Sequence, residues 1–449
     1  MTMARHGVLV RVPNEHAMGA FPADVIEAGE IHVASPCSET VDHVSDYRFF
    51  ESLSRRGLVP PERAIDLYIL AVGCYIADQR ISRKTHGEDS WSRRIDLFVP
   101  VSDPGLWEQQ AEKISNLLGF LSGDYWTVHF RGRDKLPQYP FSGQPITLPE
   151  TNCVSLFSGG LDSYIGAINL LQADANPIFI GQYSSPDVCA AQKKCAQSLS
   201  NNYVKRASYL QVYTNVPQIS LYGVLENTMR SRSFLFFSIG SLIASSLPLP
   251  AILSVPENGF ISLNLPLSLH RLGSLSTKTT HPYLMNLFQT LLQQLQLPVT
   301  IQNPFQFHTK GEMVRGCANQ SLLRENVANT MSCSHPTRAR FAGLPPKCHC
   351  GACVPCLIRR AAIVSAWGKD DTQYVGNGLT ALSQRPRRGE NANIIDLRDA
   401  INRYRRHGTI SDQQLLVPGP LPDMEHFELY RGVYIRGLEE IDSLFAAGV

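Results

Sequence analysis

The run Ser158-Gly-Gly-Leu-Asp-Ser163 packs two adjacent glycines, two hydroxyls and one carboxylate into six residues. Gly159 and Gly160 let main-chain N–H groups approach an anion with no Cβ in the way. Ser158 and Ser163 add hydroxyl donors. Opening onto a helix, such a turn holds phosphate at the unpaired N–H groups of the first helical turn, where the helix dipole favours negative charge. Leu161 lies within that turn. Asp162 would repel phosphate; its carboxylate suits a Mg2+ ion that the phosphates share. No Gly-Lys-Ser/Thr follows at the required spacing, so this is not a Walker loop. A second cluster, Cys348-His-Cys-Gly-Ala-Cys-Val-Pro-Cys356, holds four cysteines in nine residues. Thiolates of Cys350, Cys353 and Cys356 can converge on one tetrahedral metal, with Zn2+ the default choice and an iron–sulfur cluster the rival. Cys333 is the expected fourth ligand and Cys348 the reserve. His349 is hemmed in by its cysteine neighbours. A closed four-thiolate site is structural and staples the segment after Glu325 onto the core.

Elements must bring these groups together. Val154 to Phe157 reads as a short buried strand and Tyr164 to Leu171 as an apolar helix, so the loop is strand–turn–helix. Strand patterns recur at 177–182, 209–213 and 251–255, with helical patterns at 190–199 and 233–246 between them. This alternation predicts an α/β fold with a parallel sheet and crossover helices. Ligands then gather at the carboxyl ends of the strands. The loop after Phe157, the segment Gly181-Gln182-Tyr183 and the segment Pro256-Glu257-Asn258-Gly259 all lie at such ends and are expected to meet. Upstream, Val8–Val12, Ile95–Val101 and Trp126–Phe130 read as strands, the second of them half-buried. Ala64–Ala77 and the apolar spacing from Trp107 to Leu121 read as helices. These form an α+β domain over 1–148, closed by a linker with Pro137, Pro140, Pro145 and Pro149. The loop and the cysteines share a domain over 149–380. A helical extension follows over 381–449, with apolar faces at Ile394, Leu397, Ile401 and Tyr404 and at Leu438, Ile441 and Leu444.

Composition is that of an ordinary soluble chain. The 449 residues are 43% hydrophobic and 18% charged, with a net charge of +2. That balance argues against general attraction to nucleic acid or membrane. The apolar run from Phe234 to Leu253 is broken by serines and by Pro248 and Pro250, and is expected to split into a helix and a strand rather than span a bilayer. The N-terminus lacks the apolar core of a signal peptide, so a cytoplasmic, reducing setting is expected. There the 11 cysteines are ligands or core thiols.

The two motifs in this order resemble the PP-loop (N-type ATP pyrophosphatase) family, and within it the 7-cyano-7-deazaguanine synthases. Arg232-Ser-Phe-Leu-Phe-Phe-Ser238 and Lys310-Gly-Glu-Met-Val314 are similar to two further segments of that family. The resemblance covers roughly Cys153 to Trp367. His281-Pro282-Tyr283 stands where those synthases carry Tyr-Pro-Asp, and the chain is about twice their length. This longer plan, with Pro-Glu-Asn-Gly at 256–259 and Thr-Thr-His-Pro at 279–282, is similar to synthase-like proteins of anti-phage defence operons, the QatC type of the Qat system among them.

The resemblance implies ATP as substrate, Mg2+ and Zn2+ as metals, and the loop 158–163 as the grip on the departing pyrophosphate. It implies adenylation of a 7-deazaguanine carboxylate, followed by amide formation with the N-terminal amine of a partner protein from the same operon, of the QatB kind. Asp162, Ser163, Lys310 and Arg232 are then the expected catalytic groups. Gln182 and Tyr183 border adenine, and Glu257, Asn258, Arg271 and His281 face the acyl substrate. Three rivals stand beside this. One is a small-molecule synthase using ammonia. Another is a tRNA-thiolating enzyme, which needs a reactive cysteine. The last is a zinc-dependent nucleic-acid binder using Arg387, Arg388, Arg403, Arg405 and Arg406.

Overall fold

Two sheets, each flanked by helices, position everything that follows. The computed structural model describes residues 4–16, 18, 21–33, 47–88, 90–183, 185–213, 226, 228–248, 250–268, 278–337, 348–375 and 390–447. Arg271, Arg387 and Arg388 lie outside them, as do Cys37, one of the 11 cysteines, and the Arg- and Pro-containing run 384–389.

The first sheet comprises β1 (Arg5–Arg11), β2 (Val25–His32), β3 (Arg94–Val101) and β4 (Tyr125–Gly132), in the order β2-β1-β3-β4. Every pairing in it is parallel. The expected α+β domain is therefore α/β. Helices intervene between β2 and β3 and between β3 and β4, which parallel neighbours require. They are α1 (Tyr47–Arg55), α2 (Glu62–Arg80), α3 (Arg83–His86), α4 (Pro104–Glu108) and α5 (Ala111–Ser122). The spacing from Trp107 to Leu121 thus covers two helices, broken at Gln109-Gln110. β2 escaped the sequence reading. Gly7 pairs with Glu27 but Val8 with Gly29, so Ala28 is an extra residue that breaks the two-residue period. β3 is buried on both faces beyond Arg94, not on one, because it is an inner strand.

The second sheet comprises β5 (Cys153–Leu156), β6 (Ile178–Gln182), β7 (Ser208–Val212), β8 (Ala251–Ser254) and β9 (Val299–Gln302), ordered β7-β6-β5-β8-β9. Between its strands lie α6 (Leu161–Gln172), α7 (Pro186–Asn202), α8 (Arg232–Ala244), α9 (Gly259–Leu263) and α10 (Pro282–Gln294). Then come α11 (Lys310–Arg315), α12 (Gln320–Asn326), α13 (Val354–Trp367), α14 (Glu390–His407), α15 (Asp412–Leu416) and α16 (Phe427–Ala446). The chain enters at β5, steps outward through β6 and β7, and returns to β8 on the other side of β5. Strand order therefore reverses between β5 and β8, the place where open α/β sheets bind ligands. The run from Phe234 to Leu253 splits into α8 and β8, and among the described residues no helix is long and apolar enough to cross a membrane.

Contacts divide the chain into two compact units that interleave in sequence. The first holds 1–154, 211–253 and 284–301; the second holds 155–210, 254–283 and 302–449. In the first unit α2 packs on α8, and both helices are buried on nearly every face. A buried charge cluster closes it. Asp124 takes both terminal nitrogens of Arg83 at 2.6 and 2.7 Å, and Arg93 bridges Asp78 and Asp124 at 2.6 and 2.7 Å. The Ser231 amide and hydroxyl both bond Asp78 Oδ2 at 3.0 Å. In the second unit one apolar cluster gathers α6, α7, α11 and α13, and another gathers α9, α13, α14 and α16.

Candidate functional site

β5 ends in the glycine turn, and Gly160 is the N-cap of α6. Gly159 has φ of 76°, and a Cβ there would lie 2.9 Å from the backbone nitrogen of Gln192 on α7. Only glycine meets both demands. The first intrahelical bond runs from Tyr164 N to Gly160 O, so the N–H groups of residues 161–163 precede the ladder. The Gly160 N–H donates to Ser158 Oγ at 3.2 Å, and Ser163 Oγ donates to Gly160 O at 3.0 Å. Ser158 is exposed while Asp162 and Ser163 are buried, so the turn has one open side. Gln192 Nε2 donates to the carbonyls of Ser158 and Gln182, tying the ends of β5 and β6 together. Gln182 is buried, and its Oε1 has no hydrogen-bond partner among the described residues. Tyr183 follows it, half-buried.

Three groups from distant segments meet at Asp162. The Lys310 ammonium stands 2.8 Å from Oδ1, and Oδ2 accepts from Asn258 N at 3.2 Å and from Asn258 Nδ2 at 2.7 Å. The Glu257 carboxyl lies against the same carboxylate. Burial pushes the Asp162 carboxyl up, but the Lys310 charge and the bonds from Glu257 and Asn258 outweigh it and hold Asp162 below its usual range. Burial, then the Asp162 charge, pushes Glu257 well above its usual range. Glu257 thus carries the proton and donates it towards Asp162. Glu257 keeps some accessible surface. Asn303, after β9, holds the Glu257 backbone through its Nδ2 at 2.8 Å and its Oδ1 at 3.2 Å. Asn258 Oδ1 caps α9 by accepting from Ile261 N.

Lys310 is the first residue of α11, whose N-cap Thr309 forms a capping box with Glu312. α16 grips this turn. Glu440 accepts from Thr309 Oγ1 at 2.5 Å and from the Gly311 N–H at 3.2 Å, and Arg436 Nε bonds Glu312 at 2.6 Å. A Cβ on Gly311 would run into the Glu440 carboxylate.

The sulfurs of Cys333, Cys350, Cys353 and Cys356 all lie within 4.8 Å of one another, and all four residues are buried. Cys333 and Cys353 are 4.0 Å apart and Cys350 and Cys356 3.8 Å. Tetrahedral Zn–S bonds of about 2.3 Å require sulfurs about 3.8 Å apart. The backbone N–H groups of His335 and Cys350 point at Cys333 Sγ, and that of Cys353 at Cys350 Sγ, each at 3.3 Å, as thiolate ligands need. This set fits zinc. Cys348, the reserve, turns its thiol to Gln373 Oε1 instead. His349 is buried and its Nε2 accepts from Ser332 N at 3.3 Å, so it is not a fifth donor here.

Arg232 and His281 each have local partners of their own. Arg232, in the first unit, lies 4.9 Å over the Phe236 ring, and its Nε has no hydrogen-bond partner among the described residues. Burial lowers its pKa. His281 is buried and caps α10, its Nδ1 accepting from the Tyr283 N–H at 3.2 Å. Gln192, Asn303, Ser332 and Glu440 were missed. Only Asn303 had a signal, being polar and at a strand end like Gln182. A cavity of about 380 Å3 beside α9 is lined by Phe260, Leu265, His335, Pro355, Asn393 and Tyr434. No protein-family model matches the chain, and no curated protein matches it significantly.

Proposed function

We propose that the second unit is an AMP-forming, ATP-dependent carbon–nitrogen ligase of the PP-loop type, acting on a 7-deazaguanine carboxylate. One observation carries this reading. The loop after β5 and the loop after β8 meet at the strand-order reversal, through Asp162, Glu257, Asn258 and Lys310. Phosphates fit the N–H groups of residues 162 and 163, that of Leu161 being taken by Ser332 Oγ, with Ser158 and Ser163 hydroxyls at their flank. The base fits beside Gln182, whose free Oε1 can accept an exocyclic amine. Lys310 is held for charge on the phosphates or on the acid. The hard oxygens of Asp162, and of Glu257 once its proton is displaced, suit Mg2+, which when bound would add positive charge at the leaving pyrophosphate.

The chemistry then runs in two displacements. A carboxylate oxygen attacks the α-phosphorus, the bond to pyrophosphate breaks, and an acyl adenylate forms. An amine attacks the acyl carbon, AMP departs and the amine loses a proton, leaving an amide. Loop and lysine act by position and charge. The acceptor in this reading is the N-terminal amine of a QatB-like partner, as in the defence-operon proteins the sequence resembles. Thiolation is disfavoured because burial pushes the thiols of Cys153 and Cys195 up to about 11 and about 12. Nucleic-acid binding is disfavoured because Arg403 is bonded to Leu267 O and Arg405 to Asp442.

The test is co-expression with operon neighbours and intact mass of each. A neighbour that gains a deazaguanine acyl group, with AMP and pyrophosphate released and both lost in Asp162→Ala, supports the reading. Release of ADP and phosphate overturns it. Nitrile or free amide made from ammonia, with the neighbours unchanged, points to the small-molecule synthase.

A further inference from the structure

The cysteine tetrad and the glycine turn are joined by one short strap, residues 330–333. Its ends are fixed. Arg359 Nη1 donates to Thr330 Oγ1 at 2.6 Å, and Cys333 belongs to the tetrad. Its middle lies on the turn. The Met331 N–H donates to Gly159 O at 2.8 Å, and Ser332 Oγ accepts from the Leu161 N–H at 3.3 Å. The place of a Cβ on Gly160 is 3.6 Å from Met331 O and 3.8 Å from Ser332 Oγ, so the strap forms a wall of the turn. The Ser332 N–H in turn rests on His349, the neighbour of Cys350. A serine hydroxyl that accepts one bond still has a proton to give. Placed at the first turn of α6, it can donate to an anion held there.

We infer that Ser332 is a further nucleotide-contacting residue, and that metal in the tetrad sets its position, so that metal occupancy and ATP affinity are coupled. This rests on the reading of residues 158–163 as a nucleotide loop. Coupling of this kind is reciprocal: metal that tightens ATP binding is itself retained more tightly when ATP is bound.

The experiment uses the full chain loaded with zinc, as wild type, Ser332→Ala and Ser332→Thr. It measures ATP affinity, the rate of zinc release to a chelator with and without ATP, and hydrogen exchange at the Leu161 amide without nucleotide. Ser332→Ala keeps all four sulfurs and so separates the strap from the metal site. The expected result is about tenfold weaker ATP binding in Ser332→Ala, partial rescue in Ser332→Thr, and faster exchange at Leu161. ATP should slow zinc release about fivefold or more in wild type and little in Ser332→Ala. Wild type that binds ATP, with Ser332→Ala binding equally well and zinc release unaffected by ATP, overturns the coupling and leaves the nucleotide reading standing. Wild type that binds no ATP overturns both.

Discussion

Asp162 divides its two oxygens between an ammonium and an amide, and the balance around it decides what substitution does. Asp162→Asn removes the charge that Lys310 faces in a buried setting. An unpaired buried ammonium costs about 3 to 5 kcal/mol, so urea unfolding should show a loss of that order alongside loss of AMP formation. Lys310→Met, which removes the cation instead, should also be inactive. Two neutral buried histidines contribute to acid sensitivity, alongside carboxylates such as Asp124 and Asp162 that the fold holds below their usual range. Burial, aided by Lys278, lowers His281 to about 3; burial, aided by His86 and Arg93, lowers His6 to about 4. Both stay neutral in the folded chain while their unfolded counterparts take a proton below about pH 6.5. Their contribution is therefore present above that pH. It is lost as pH falls towards 3 and 4, at about 1.4 kcal/mol per unit per histidine. The urea midpoint should drop between pH 6.5 and 4, and less steeply in His281→Gln. The loop residues and Lys310 were legible because their types name their chemistry. Gln192 and Glu440 were not, because a glutamine or glutamate within a helix shows nothing of what the fold brings to it.

Helices were legible where their periodicity was regular, and their partners were not. The Thr309-x-x-Glu312 box is readable from the chain, and it starts α11. Nothing local announces that α16, some 130 residues on, supplies Glu440 and Arg436 to hold that box. What reads as an appended tail is thus part of the support of Lys310. Glu440→Ala removes the acceptor of three donors, Thr309 Oγ1, the Gly311 N–H and Arg315 Nη2, and one charge-assisted bond is worth about 1.5 to 3 kcal/mol. The expected outcome is a stability loss of that size together with a raised KM for ATP, measured by steady-state kinetics against thermal melts. Chain ending before Phe427 should lose the activity altogether. Strand β2 shows the opposite limit: one extra residue hides its alternation, although its pairing with β1 is complete.

At the scale of the whole chain, linear reading placed a boundary near 148, whereas the first unit also takes in 211–253 and 284–301. A hint was present: α2 and α8 are both apolar nearly all round, and such helices need cover on more than one side. A fragment of residues 1–148 would bare the face of α2 that packs on α8 and would strip Asp78 of its two bonds from Ser231. It is expected to aggregate or melt without cooperativity, as light scattering and calorimetry would show, where the same residues in the full chain are ordered. The Asp78, Arg83, Arg93 and Asp124 quartet constrains history as well as stability. Loss of any one charge strands the others in the interior, while an apolar replacement of the whole set can be neutral or better. Replacement one charge at a time is therefore the costly route here. Lineages should keep all four or have exchanged them together, and a family tree would register the quartet as a single inherited character.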